Sequence, residues 1–126
     1  MRKIYSSCDI LLKMSRVEGF FGPPLEMMAC GGTAVVSKVT GYDEYIVDGY
    51  NALVVEMGDV NRARAAVKRL IEDPELRKRL IANGQQTAKN WRWEQTIDIL
   101  EKVYWDGLDL NSEQKESNSQ PAYSSR

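Results

Sequence analysis

The 126-residue chain contains no histidine. A Ser–His or Cys–His nucleophile pair is thereby excluded, because the base that would activate the nucleophile is missing. Two cysteines, Cys8 and Cys30, are too few for a disulfide framework, and neither sits in metal-ligand spacing. Their apolar contexts read as buried free thiols of a reducing cytoplasm. No run approaches the ~18 apolar residues of a membrane span, and the opening MRKIYSSCD has no secretory apolar region. An excess of one charge is lacking too: 17 basic residues face 18 acidic ones, for a net charge of −1. A nucleic-acid surface needs clustered positive charge, so no nucleic-acid partner is expected.

What is present fits a globular domain of one modest core, with 43% hydrophobic and 28% charged residues. Asp9–Lys13 (DILLK) is a short apolar run that reads as a buried parallel strand. A loop follows, and Pro23 and Pro24 prepare a helix start. Leu25, Met27, Met28 and Ala29 continue that helix, and Gly31–Gly32 stop it. Ala34–Ser37 (AVVS) is the next strand. Strand, loop, short helix and strand make a βαβ unit, and such units bind ligands at the carboxyl ends of their strands.

Further on, Gly41–Tyr45 (GYDEY) reads as a turn, and Asp48-Gly49 and Asn51 mark turns before strand Leu53–Val55. Asp59 is a predicted N-cap. Ala63, Ala66, Val67, Leu70 and Ile71 recur at helical spacing after it. Asp73-Pro74-Glu75 starts a second helix with stripe Leu76, Leu80 and Ile81, and Gly84 is its weak point or end. A third helix is expected from Trp93 to Leu108, with Trp93, Ile97, Leu100, Tyr104 and Trp105 on one side. The Met27–Met28 pair and the tryptophans read as core. The fold class is therefore α/β, a partial Rossmann-like parallel sheet followed by C-terminal helices. Residues 1–108 form the domain and residues 109–126 a disordered polar tail.

The stretch EGFFGPPLE places Glu18 and Glu26 around glycine, aromatic and proline. The helix start beyond it brings unpaired amides and partial positive charge, and Gly19 and Gly22 let backbone approach a ligand. Pro23 and Pro24 donate nothing, so the useful amides are those of Phe20, Phe21, Gly22 and Leu25 onward. Together they suit a diphosphate. A carboxylate accepts hydrogen bonds and a diol donates two. Glu26, in the first helical turn, therefore suits a ribose, and Glu18 a sugar hydroxyl.

With GFFGPPLEMMACGGTAVVS, the Glu18–Glu26 pair resembles the donor loop of family 4 retaining glycosyltransferases, the "glycosyl transferases group 1" domain. Gly41-Tyr-Asp-Glu44, Asp48-Gly49-Tyr-Asn51, Met57-Gly58-Asp59, Asp73-Pro74-Glu75-Leu76-Arg77 and Trp93-Glu94 continue the resemblance over roughly Tyr5 to Tyr104. It implies the C-terminal, donor-binding portion of a two-domain GT-B enzyme. The reaction implied is hexosyl transfer from a nucleotide-diphosphate sugar to a glycan, lipid or small acceptor, with retention and no bound metal or other cofactor. Glu18 would meet the donor sugar near its anomeric centre as the catalytic-site residue, and Glu26 the ribose. Gly19, Phe20, Phe21, Gly22 and Leu25 would lie along sugar and phosphate.

Glu44 either caps a short helix or approaches the donor. Lys13 and Lys38 read as solvated lysines, with phosphate contact the alternative. The chain departs from the family in carrying Phe21 where a second glycine is usual. It also lacks the upstream basic pair and the acceptor domain, which a missing N-terminal domain on another chain would supply. The implied location is cytoplasmic, and membrane-peripheral if the acceptor is a lipid. The rival reading is a catalytically inactive remnant serving as a nucleotide-binding or interaction module.

Overall fold

The structure, a computed structural model, describes residues 1–91 and 93–118. It divides into two units, Met1–Trp91 and Arg92–Arg126. The first contains α1 (Arg2–Tyr5), β1 (Ile10–Lys13), α2 (Gly22–Ala29) and β2 (Thr33–Ser37). It continues with a 3-10 turn (Tyr42–Glu44), β3 (Leu53–Val55), α3 (Val60–Glu72) and α4 (Pro74–Asn90). The strands form one parallel sheet in the order β1-β2-β3. Ile10 pairs with Thr33 and Lys13 with Val36 on one side of β2, and Val35 pairs with Leu53 and Ser37 with Val55 on the other.

Alternation along β2 divides the core between the two faces of the sheet. Ala34 and Val36 pack with Phe21, Met28, Tyr45 and Ile46 on one face. Val35 packs with Leu53, Val55, Ala63, Leu70, Leu76 and Leu80 on the other. β2 is buried throughout. β1, expected to be buried, is an edge strand with a neighbour on one side, and its Leu12 is 52% exposed.

The helix boundaries have local chemical causes. α2 ends in a Schellman arrangement, with Gly31 at φ 88°, its amide on the Met28 carbonyl and the Gly32 amide on Met27. Asp59 caps α3 by accepting from the Arg62 amide at 2.8 Å, and Asp73 caps α4 by accepting from Leu76 at 2.9 Å. α4 runs through Gly84 without ending there. A Cβ on that residue would stand 2.8 Å from Met28 Cγ, so the glycine permits close packing of α4 on α2. Met27 and Met28 are buried, as expected, while Trp91 is 42% exposed and Cys8 is exposed.

The second unit contains α5 (Trp93–Asn118), which continues past Leu108. Polar composition does not stop a helix, and neither glycine nor proline occurs between Leu108 and Asn118. The rest of the expected tail, 119–126, lies outside the described residues. Ile97, Leu100, Tyr104 and Trp105 of α5 are exposed rather than core. Among the described residues, no helix is long and apolar enough to cross a membrane.

Candidate functional site

The loop from Met14 to Phe21 leaves the carboxyl end of β1 and is fastened at both ends. Ser37, the last residue of β2, donates its hydroxyl to the Ser15 carbonyl at 2.6 Å. At the far end the buried Tyr45 hydroxyl donates to the Phe21 carbonyl. Phe21 is 1% exposed, so its side chain belongs to the core and only its backbone can meet a ligand. Its φ of −82° is ordinary for any residue, so phenylalanine replaces the family's usual glycine without strain.

Glu18 stands half-buried in the loop. It accepts from Ser15 Oγ and pairs with Lys13 Nζ at 2.7 Å. Lys13, first, and Ser15, second, hold its carboxyl below the usual carboxylate range. Lys13 is thus ion-paired and not merely a solvated side chain, whereas Lys38 pairs at the surface with Glu56 at 3.6 Å. Gly19 has nothing within 4 Å of where a Cβ would stand, and its φ is not positive. The fold does not require glycine there; the missing side chain leaves open space beside Glu18.

The amides differ from expectation. α2 begins at Gly22, whose N–H donates to the Phe20 carbonyl at 2.9 Å. The Leu25 amide bears on the Tyr45 oxygen and partly opposes the rise that burial gives that phenol's pKa. The Phe20 and Phe21 amides make no hydrogen bond among the described residues. The earlier helix start also moves Glu26 out of the first turn, where the dipole would act on it most strongly. Glu26 is exposed, and its carboxylate, after burial, raises the pKa of Tyr5.

Glu44, the last residue of the 3-10 turn, is exposed and makes no cap. Its Oε1 lies 3.4 Å, and the Gly19 carbonyl 4.0 Å, from where a Cβ on Gly41 would stand. Gly41, at φ 80°, is thus the close point between this turn and the loop. Burial pushes the Tyr45 phenol well above its usual range; the Leu25 amide opposes this, and the carboxylates of Glu44, Glu18 and Glu26 add to it. The carboxylates of all three sequence-predicted acids thus act on one buried phenol. Sequence reasoning passed over Tyr45 and Ser15, because no local pattern marks contacts made 22 or 24 residues away. A separate cavity of about 430 Å³ lies on the α3 side, lined by Leu12, Ser15, Ser37, Met57 and Arg64 among others. None of the three acids lines it, and Ser15 is its link to the loop.

The family model described as "Glycosyl transferases group 1" matches residues 1–87. The chain belongs to the glycosyl transferases group 1 family. Within that family, an uncharacterized glycosyltransferase of Methanocaldococcus jannaschii is 37% identical over 97 residues, covering 77% of this chain and 28% of the relative. Sucrose-phosphate synthase from Thermosynechococcus elongatus superposes with a TM-score of 0.80 at 25% identity, over 85% of this chain and 27% of that one. The Anabaena protein HepE, solved with UDP, gives 0.73 at 25% identity, over 81% and 29%. It has also been solved with UDP-glucose. The group 1 chain described here thus spans between a quarter and a third of these proteins, and its α/β sheet is part of their Rossmann-like domain.

Proposed function

We propose that the chain is the donor-binding region of a retaining glycosyltransferase of family 4, moving a hexosyl group from a nucleotide-diphosphate sugar to a glycan, lipid or small acceptor. The observation that carries this reading is the open loop at the carboxyl end of β1. It combines unbonded amides at Phe20 and Phe21, an uncluttered Gly19 and Glu18, with Glu26 on α2 and Glu44 on the 3-10 turn acting on the same Tyr45 phenol. UDP and UDP-glucose held by the Anabaena neighbour support a nucleotide-sugar donor.

In this reading Glu26 accepts hydrogen bonds from the ribose diol, and Glu18 from a sugar hydroxyl close to the anomeric centre. The Phe20 and Phe21 amides face the diphosphate, and Gly19 gives the sugar room. Glu18 exchanges its contact with Lys13 for the sugar, which frees the ammonium for the phosphate. Glu44 closes the sugar's far side. The leaving phosphate assists attack from the same face, so configuration is retained, and no resident metal or cofactor takes part. Charge neutralisation of a diphosphate is a large part of such catalysis, so an upstream half with a basic pair and an acceptor domain completes the site. The protein works in the cytoplasm, at the membrane surface where its acceptor is a lipid.

Calorimetric titration with UDP, GDP, dTDP and their hexose esters tests the reading. Glu26→Ala is expected to weaken nucleotide and nucleotide sugar alike by roughly tenfold or more, since bonds to a charged group contribute about 1.5–3 kcal/mol. Glu18→Ala is expected to weaken only the sugar-bearing ligands. A wild-type chain that binds none of them, or variants that bind as wild type does, would discard the reading.

A further inference from the structure

We propose that Tyr45 is the positioning residue of the donor loop: its hydroxyl anchors the Phe21 carbonyl and its ring seats Phe20, fixing where Glu18 and the Gly19–Phe21 backbone stand. This rests on the donor-site reading above. Two long-range hydrogen bonds fasten the loop, from Ser37 to the Ser15 carbonyl and from Tyr45 to the Phe21 carbonyl. Between these points Val17, Gly19 and Phe20 are exposed, and Phe20 is 56% so. A segment with few buried contacts opens at low cost, so its geometry depends on its two ends.

Tyr45 suits the far anchor because it is itself held from three sides. Asn51 Nδ2 donates to the Tyr45 carbonyl at 2.8 Å, and the same nitrogen donates to Thr87 Oγ1 of α4 at 3.0 Å. The Tyr45 ring lies 5.6 Å from Trp91, edge to face, and 6.2 Å from Phe20, with Phe20 and Trp91 5.8 Å apart. These separations fall in the favourable range for aromatic pairs. A continuous path thus runs from α4 through Asn51 and Tyr45 to the loop. Phenylalanine at this position would keep the ring and its packing, but leave the Phe21 carbonyl without its donor.

The test compares wild type with Tyr45→Phe in two measurements. Hydrogen exchange at the Gly22 amide, which donates to the Phe20 carbonyl at 2.9 Å, is expected to rise about fivefold to tenfold, as loss of one hydrogen bond at the neighbouring carbonyl implies, while Val35 and Val36 exchange as before. Titration is expected to show UDP-glucose binding weakened by a similar factor and UDP binding weakened less than about twofold. Unchanged exchange at the Gly22 amide overturns the assignment. Equal weakening of both ligands with faster exchange throughout β2 also overturns it, because Tyr45 would then serve only the fold. A wild-type chain that binds neither nucleotide removes the donor-site reading, and the exchange measurement still decides whether Tyr45 holds the loop.

Discussion

The turn Val47–Ala52 and the loop Met14–Phe21 both carry glycine and acidic residues, and both contain motifs that mark the family. In the turn, nearly every polar group is used within the protein. Asn51 is buried, accepts from the Val47 amide at 2.9 Å, and donates to Tyr45 and Thr87. Asp48 accepts from the Val54 amide at 2.8 Å and sets the start of β3. In the loop, the Phe20 and Phe21 amides are among those with no partner, Gly19 borders empty space, and Glu18 is held by Lys13 and Ser15. The difference separates two reasons for a family motif. One motif is bonded into the frame, and the other keeps open groups, as the proposed donor role requires.

That contrast can be broken by substitution, and the largest effect is expected in the turn. Asn51→Ala strands the Tyr45 carbonyl and the Val47 amide, and should cost about 3 kcal/mol in urea unfolding. Gly19→Ala should do the reverse. Its stability should stay within about 0.5 kcal/mol of wild type, because the methyl meets nothing. Affinity for a nucleotide sugar should still fall about tenfold, since the methyl occupies the ligand's room and roughly 1.4 kcal/mol is a factor of ten. If Gly19→Ala unfolds the chain instead, the loop is frame after all.

Gly84→Ala sharpens the comparison from the helix side. Alanine gains about 1 kcal/mol in helix propensity, but its Cβ meets Met28, and overpacking of about 1–3 kcal/mol should win. A net loss near 1 kcal/mol by urea unfolding is expected. The smallest effect concerns pH. The Glu18 carboxyl is depressed, chiefly by Lys13, so its contribution to loop order is present above the ordinary carboxylate pKa of about 4.3. It is lost as pH falls through the lower folded-state value. A carbon-detected NMR titration should place the Glu18 midpoint below that of Lys13→Met, in which it returns towards the ordinary value.

Much of the frame was legible in advance, because its signals are local. Asp59 and Asp73 cap the helices they were expected to cap, and the parallel βαβ order followed from short apolar runs and the Gly31–Gly32 stop. Spacing and resemblance singled out Glu18 and Glu26, and resemblance alone Glu44. Their environment was not legible. The occupied Gly22 amide depends on where α2 starts, one residue before Pro23. Cys8 is exposed and β1 is an edge strand, facts that concern neighbours and not residue type.

By itself, then, the order of residues determined the three strands and the helices that follow them, the Asp59 and Asp73 caps and the family, since each depends on groups a few positions apart. It did not determine α1 or the true ends of α2 and α5. Only the tertiary structure decided that Tyr45 reaches Phe21, that Lys13 turns to Glu18 across the loop, and that Gly84 admits Met28. Those contacts depend on how the loop folds back on β1, on where the chain after the 3-10 turn packs, and on how α4 meets α2, and a chain's local propensities do not encode which surfaces will meet.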